Sequence, residues 1–575
     1  MMRKIFYDFE VFKHNWMVVL IDYDTKKGKV IVDDLDELKR FYNLFKDDIW
    51  IGYNSRMYDQ YILKGILLGM NPYYISSRII NDNVKGFNVV REGYKIPLNN
   101  FDITTGFHSL KQLEGFMGSR IKESSVPFDI SRALTEQEIK EVVEYCIHDV
   151  KQTIEVFDNK KEEFESQLAL IEAFDLNMSM FTKTKAQLSA FILGAEKQGN
   201  RGDEFELRFP DTLKIEKYKH IVDWYRDPEN LDYSKNLKVD VAGVPHIFAW
   251  GGLHGALPKY KDEGIILCCD VASLYPSIMI EYDYISRNVK NPLKYTEIRD
   301  TRLELKRKKD PKQAPYKIVL NSTYGAMKDQ YNPLYDPLMA NNVCLAGQLL
   351  LLDLIEKIEP YCKLIQSNTD GLFMKVEKES DIDLIKEVAR EWETRTRLDL
   401  EWDVYEKIYQ KDVNNYIIID KDQKYKSKGA YVKKLNNLDY DLPIVNKAMI
   451  EYFTKDIPVE KTINECNQLR EFQKISKVSN KYMYALYGEE RLPEKVLRVF
   501  ASKEEDAKGV FKVKTEDRIE KIGNTPPRCF INNDNIKNEK VPDYLDKDYY
   551  IEIAKKRIND YLGISNRKKK AKKEK

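Results

Sequence analysis

The chain has few of the residues that staple small secreted folds or hold structural metals: 7 cysteines and 6 histidines in 575 residues. The cysteines stand at 146, 268, 269, 344, 362, 466 and 529, odd in number and without a C-x-x-C pair. That excludes a disulfide framework, a zinc ribbon and a dithiol redox loop, and leaves free, mostly buried thiols as the expectation. The nearest histidines, His246 and His254, have no acidic companion at ligand spacing, and no histidine is assigned a metal. Long hydrophobic runs are also missing. The longest apolar stretch, Val343 to Ile355, is broken by Gly347, Gln348 and Asp353 and is expected to be too short to cross a bilayer. The opening MMRKIFYDFE reaches acids within its first ten residues and lacks the apolar core of a secretory signal, so a cytoplasmic protein without a membrane partner is expected.

Charge of one sign is lacking too, with 94 basic against 93 acidic residues and a net of +1. The run from Arg567 to Lys575 carries +6 by itself, which leaves -5 on the rest. Residues 566–575 are therefore read as a disordered basic tail that adds non-specific phosphate affinity. A weakly acidic body still suits a nucleic-acid enzyme if basic grooves alternate with acidic, metal-collecting centres. What is present is globular: 43% hydrophobic, 33% charged and 12% aromatic residues, a mean hydropathy of -0.55, and length enough for three or four domains. No repeat is visible.

Hydrophobic periodicity predicts two strands within 3–22 around a turn at His14 and Asn15, and helices at 35–46 and 135–170. A polar stretch at 196–211 marks a boundary, and a second strand-rich region opens near Gly264. A helical hairpin is expected over 295–330 around a turn at 308–315, and a β-hairpin over 361–376 with its turn near Thr369. The last 130 residues read as helices mixed with loops.

In YDFEVF, Asp8 and Glu10 are two apart on a predicted strand and leave the same face, and two anions held together need a cation. NSRMYD places Asp59 five residues after Asn54, and YCIHDV places Tyr145 and Asp149 four apart on one helix face. Taken singly, each pair reads more readily as solvated surface acids. In this order they resemble the three motifs of the DEDD-type 3′–5′ exonuclease domain. The resemblance implies two divalent metals held by Asp8, Glu10, Asp59 and Asp149, with Tyr145 orienting the attacking water. The run SLKQL, from Ser109, resembles the motif that contacts single-stranded DNA in such domains, through Ser109 and Leu110; packing of Leu110 and Leu113 explains it nearly as well.

A second constellation follows. IILCCDVASLYPSIM runs an apolar strand into Asp270, KIVLNSTYG spans Lys317 to Gly325, and SNTDGLF carries Asp370. These resemble motifs A, B and C of the family B DNA polymerases, in the family's order, and the likeness covers most of residues 1–435. It implies two metals held by Asp270, Asp370 and the carbonyl of Val271, Mg²⁺ with Mn²⁺ as the alternative. It further implies a nucleotide site made of Ser273, Leu274 and Tyr275, with Lys317, Arg302 and Lys306 for phosphates and Asn321 and Tyr324 beside the nascent pair. Tyr275 would exclude a 2′-hydroxyl.

The chain departs from the family in three places. Motif C reads Asn368-Thr369-Asp370, where the family has Asp first. The Tyr-x-Gly-Gly region reads AWGGLHG, with Ala249 in place of Tyr and with Gly251 and Gly252 kept as DNA contacts. The Lys-x-Tyr that supports a primer terminus appears as Asn414-Asn415-Tyr416, and the lysines of KYKSKG, 424–429, offer a substitute. No room is seen for the larger relatives' extra N-terminal domain, nor for the insertions of protein-primed polymerases on either side of motif B.

The fold expected is thus multidomain α/β and α+β: an RNase H-like exonuclease domain (1–195), a connecting and palm segment (196–285), fingers (286–340), palm (341–435), thumb (436–565) and the tail. The expected function is templated extension of a primer with proofreading. The expected partners are primer-template DNA, deoxynucleotides, and a helicase, clamp or single-strand binding protein, around a monomer. The richness in Lys, Ile, Asn and Tyr points to a bacteriophage or mobile element in a bacterial host cytoplasm. Two alternatives stay open: an exonuclease with a degenerate polymerase half, and a non-catalytic DNA-binding factor on the same scaffold.

Overall fold

The computed structural model describes residues 2–104, 106–515 and 518–564; the tail expected at 566–575 lies outside the described residues. The chain divides into two compact units of mixed α and β structure, the first made of Met1–Thr184, Leu435–Pro443 and Cys466–Tyr549, the second of Lys185–Lys434, Ile444–Glu465 and the residues from Tyr550 on. The segment expected as a thumb, 436–565, is thereby shared between them.

The first unit is built on β1 (Lys4–Val11), β2 (Trp16–Asp22), β3 (Gly28–Val32), β4 (Ile49–Gly52) and β5 (Asn99–Asp102), in the order β3-β2-β1-β4-β5. The β1–β2 and β2–β3 pairings are antiparallel and the β1–β4 and β4–β5 pairings parallel. Strand period decides what β1 shows to each side. Ile5, Tyr7, Phe9 and Val11 enter a core with Trp50, Ile62 and Leu63. Phe6, Asp8 and Glu10 leave the other face, where the Phe6 ring meets Phe157, 5.2 Å between centroids. Around the sheet lie α1 (Leu35–Phe45), α2 (Asp59–Leu67), α3 (Leu110–Met117) and α4 (Glu136–Asn159). Thr135 and Glu138 close a capping box that starts α4, and Ser109 with Gln112 does the same for α3.

The second unit carries one antiparallel sheet of nine strands. These are β6 (Leu237–Val241), β7 (Val244–Phe248), β8 (His254–Ala256), β9 (Tyr260–Val271), β10 (Lys363–Asn368), β11 (Gly371–Val376), β12 (Leu400–Asp412), β13 (Asn415–Ile419) and β14 (Tyr425–Lys428). Their order is β14-β13-β12-β9-β11-β10-β8-β7-β6, so β9 lies between β12 and the β10–β11 hairpin. Its helices include α5 (Leu274–Glu281), the hairpin α6 (Leu293–Arg307) and α7 (Gln313–Met327), and α8 (Pro337–Ile358). The α8 segment corrects a sequence reading. With the turn that follows, residues 337–361 are long and apolar enough to cross a membrane, and their apolar 18-residue window is wholly buried. The polar side chains that bound or broke the apolar run are satisfied by protein groups: Asn342, just before it, accepts from the Arg208 N–H at 2.9 Å, Gln348 donates to Ala249 O at 2.7 Å, and Asp353 holds Arg395 at 2.9 Å. The helix is the core of this unit.

The last 130 residues also differ from expectation, for they add β15 (Lys474–Lys477), β16 (Tyr484–Tyr487), β17 (Glu490–Leu492), β18 (Val496–Ala501), β19 (Val510–Thr515), β20 (Arg518–Lys521) and β21 (Cys529–Ile531). These strands belong to the first unit and form two sheets, β15-β18-β21 and β17-β16-β19-β20. They enclose Val478, Ala485, Leu497, Val499, Val510, Ile522 and Cys529. The seven cysteines are thiols outside any disulfide among the described residues, and five of them are buried.

This β segment grips the end of α3. Arg498, fully buried, donates to the carbonyls of Ser119 (2.6 Å), Gly115 (3.3 Å), Asp534 (2.6 Å) and Asn532 (3.2 Å). Arg470 and Gln473 both donate to Phe116 O, at 2.7 and 3.1 Å. Helix-end carbonyls have no partner within the helix, and these three side chains supply one. Arg498→Met should therefore destabilise the chain by about 3–5 kcal/mol, the cost of leaving several buried carbonyls bare. In urea unfolding the midpoint should fall with the slope unchanged; a shift below about 1 kcal/mol would mean that water replaces the guanidinium.

Candidate active sites

In the first unit Asp8 and Glu10 face α4 from β1. Asp59, the first residue of α2, accepts the Phe9 N–H at 3.0 Å, which draws it to the same strand. Tyr145 and Asp149 stand one turn apart on α4, and between them Cys146 places its thiol 3.7 Å from Asp8 Oδ2. Burial pushes all four carboxyls above the ordinary range, Asp59 to about 7 and Asp149 to about 6. The charges of Asp59, Glu10 and Asp149 add to the effect on Asp8. Burial, then the charge of Asp149, also holds the Tyr145 hydroxyl protonated.

Residues that the motifs did not announce complete this centre. Lys111 Nζ bonds Asp149 at 2.5 Å and Glu114 at 3.0 Å, and lies 4.6 Å from the centre of the Tyr145 ring. His148 Nε2 is 3.5 Å from Glu114. A signal was present in SLKQLEG, where Lys111 and Glu114 are three apart on a helix that the reading entered only at Ser109 and Leu110. Ser109 itself caps α3, and Leu110 is half-buried. Among the described residues, Asp8, Glu10 and Cys146 form one group with ligand atoms within 4.8 Å of one another, and Glu114, His148 and Asp149 form another. Buried anions held against one bonded ammonium are costly, and a hard divalent cation with oxygen ligands fits the donors present.

In the second unit Asp270 lies at the end of β9, paired with Gly371 of β11. A Cβ at 371 would come within 1.9 Å of Asp270 Oδ1, so glycine is what lets the carboxylate lie there. The Val271 N–H donates to Asp370 O at 2.7 Å. Thr369, at φ 49°, turns the β10–β11 hairpin and donates its N–H to Leu253 O at 2.7 Å. Gly252 makes room for this turn, since a Cβ there would sit 2.5 Å from Thr369 Oγ1. Asp270 and Asp370 are thus brought together, and Asn368 joins them from the end of β10, bonded to His254 across the β8–β10 pairing. Burial, then the charge of Asp370, raises the Asp270 carboxyl, and burial raises Asp370. Lys426 opposes the first shift and Lys428 the second, both from β14. Oxygen donors with raised affinity for protons again suit divalent cations.

Around this centre Ser273 adopts φ 51° and accepts from Arg302 Nη1 at 3.1 Å, while Leu274 is buried at the start of α5. The Tyr275 ring lies 4.3 Å from that of Tyr324. Lys317 and Asn321 are exposed on α7. The expectation that Arg302 and Lys306 act from one face meets a divided arrangement: Arg302 is buried against Ser273, whereas Lys306 pairs with Glu401 at 3.5 Å. Gly251 offers its carbonyl to the Cys344 thiol, and Tyr416 packs edge-on against Phe373, 5.2 Å between centroids.

The raised carboxyls of the first centre carry a sign. A native carboxyl that titrates near 7 holds its proton where the unfolded one, near 4, has lost it, so its contribution to stability is full below about pH 4 and is lost as the pH rises through about 7. Asp59→Asn should consequently raise the urea midpoint at pH 8 and leave it unchanged near pH 4, and Mg²⁺ should stabilise the parent more than the variant. A variant less stable than its parent at pH 8 would contradict the assignment.

No protein-family model matches the chain. DNA polymerase 1 of Saccharolobus solfataricus is 26% identical to it over 307 residues, 44% of this chain and 33% of that protein. DNA polymerase 1 of Sulfolobus acidocaldarius is 29% identical over 162 residues, 28% of this chain and 18% of that protein. The matches span a third or less of the length of these curated relatives. The solved family B DNA polymerase of Pyrobaculum calidifontis aligns with 99% of this chain and 79% of its own, at a TM-score of 0.44 and 14% identity. Over 44% and 28% of its length, respectively, the chain is thus similar in sequence to these two DNA polymerases.

Proposed function

We propose that the chain is a DNA-templated DNA polymerase that extends a primer 3′ end from deoxynucleotides, and that its first unit removes mispaired 3′ termini by 3′–5′ hydrolysis. The observation that carries the reading is the meeting of Asp270 and Asp370 across the β9–β11 pairing, with Gly371 opposite the first and the Val271 N–H bonded to the second. Under this reading the nine-stranded sheet is the palm, α6 and α7 are the fingers, and the β3-β2-β1-β4-β5 sheet is the RNase H-like core of the editing domain. The setting is replication of phage or mobile-element DNA in a host cytoplasm.

Asp270, Asp370 and the Val271 carbonyl would hold two divalent ions, Mg²⁺ or Mn²⁺, in the second unit, and Asp8, Glu10, Asp59 and Asp149 a pair in the first. Bound there, such ions supply charge for the entering and leaving oxygens of an in-line displacement. The chain's own side chains do the rest. Tyr275, backed by Tyr324 and lying over Gly347, presents a flat wall where a ribose 2′-hydroxyl would need space. Arg302, whose Nε is buried without a partner, and the exposed Lys317 offer charge to the triphosphate. In the editing centre Tyr145 keeps its hydroxyl proton and can hold a water by hydrogen bonding, and Lys111 steadies Asp149.

A primer-template with and without deoxynucleotides tests the whole reading. Asp270→Asn or Asp370→Asn should cut extension by about 10³-fold or more while degradation of the 3′ end continues. Asp8→Ala with Asp59→Ala should do the reverse. Asn368 favours a second reading, an exonuclease whose polymerase half has decayed, and the same assay decides. The natural chain is expected to extend primers, with Asn368→Asp lowering the Mg²⁺ concentration needed; no extension in either Mg²⁺ or Mn²⁺ would leave only the editing activity.

A further inference from the structure

The β17-β16-β19-β20 sheet has one face in the core of its segment and one turned outward. Register defines the outward face. One row across the four strands is Arg491, Leu486, Phe511 and Lys521, and the next is Tyr484, Val513 and Ile519. Leu486 and Val513 are buried, Tyr484 and Phe511 are half-exposed, and Ile519 is 56% exposed. Arg491 lies over the Tyr484 ring, 4.5 Å from its centre. Arg491 and Lys521 are exposed at opposite ends of the row and pair with no acid among the described residues. Glu490 and Glu520 belong to the other face by the same register, and Glu520 is bonded there to Tyr482 at 2.8 Å.

We propose that this face binds a single strand of nucleic acid, bases against Tyr484, Phe511 and Ile519 and phosphates at Arg491 and Lys521. Charge complementarity selects the occupant. Two rings and an aliphatic side chain between unpaired cations match a polyanion with planar apolar faces, the pairing on which single-strand platforms rely. Four strands at about 4.8 Å spacing separate the two cations by about 14 Å, room for two or three nucleotides. A duplex keeps its bases stacked inside and cannot offer them to the rings. The inference deepens the reading of the chain as a DNA enzyme and rests on it. It gives the β segment a task, holding single-stranded DNA, in the same unit as the proposed editing centre.

The test is fluorescence anisotropy of labelled dT20 with the full chain in EDTA, so that nothing is degraded, across a salt series. Arg491→Glu with Lys521→Glu should weaken binding about tenfold or more and reduce the log–log salt slope by about 1.4, two phosphate contacts' worth. Ile519→Ser, also at an exposed position and without a change of charge, should weaken binding with the slope unchanged. A matched reversal on α1 and its C-terminal cap, Lys39→Glu with Lys46→Glu, should have little effect. Unchanged dT20 affinity in the face variants, which would leave the surface to a protein partner, overturns the inference, as does an equal loss in the α1 control. A chain that binds primer-template but no dT20 overturns this inference alone; a chain that binds neither overturns the polymerase reading with it.

Discussion

Like charges brought together away from water set the terms for both units. Asp270 is raised by burial and by Asp370, and the backbone that presents the pair leaves no space for a side chain at position 371. Strain accompanies the arrangement: Thr369 and Ser273, neither a glycine, adopt φ of 49° and 51° on either side of the carboxylates, at roughly 1–3 kcal/mol each. A narrow sheet would relieve such repulsion by opening. Here β9 is paired on both sides, by β12 along most of its length and by β11 at its end, so the carboxylates are held by neighbours that cannot separate.

The first unit meets the same constraint differently. Its acids come from a strand, a helix start and a long helix, and no ladder of backbone bonds fixes them to one another. Lys111 takes that part for Asp149, and the position of Lys111 depends on α3, whose far end is tied by Arg498, Arg470 and Gln473. Gly115 and Gly118 mark how close this approach is: a Cβ would fall 2.9 Å from Ile475 at the first and 2.9 Å from Arg470 at the second. Residues more than 350 positions along the chain thus reach the acidic centre through one short helix.

How much could be read beforehand follows from how local each signal is. The β1–β2 strands, α1, the α6–α7 hairpin and the β10–β11 hairpin lie where the sequence pattern placed them, because each is set by residues close together in the chain. Asp8 with Glu10, and Tyr145 with Asp149, carry their geometry in their spacing. The seven late strands are three to six residues long and rich in charge, too short for periodicity to separate them from loops, and their pairing is set by tertiary contacts. The α8 segment looked too broken for its length because Asn341, Asn342, Gln348 and Asp353 count as polar in any window, while their partners, such as Glu204, Arg208 and Arg395, lie far away in sequence. Gly252 read as a DNA contact by analogy; its neighbour Thr369 becomes visible only when the hairpin folds over it.

Asn368 belongs to this electrostatic balance. It keeps the place of an acid at the end of β10 and the ability to accept a hydrogen bond, which His254 uses, but it adds no charge beside Asp270 and Asp370. A third carboxylate would raise the cost of burying the other two, at a spot where Lys426 is already committed to Asp403 at 2.7 Å. The amide therefore relieves the repulsion between the two carboxyls, and under the proposed reading it would attract cations less than an acid does. Under the proposed two-ion reading, stability and metal affinity would pull against each other at this one position, which the strand register sets opposite His254.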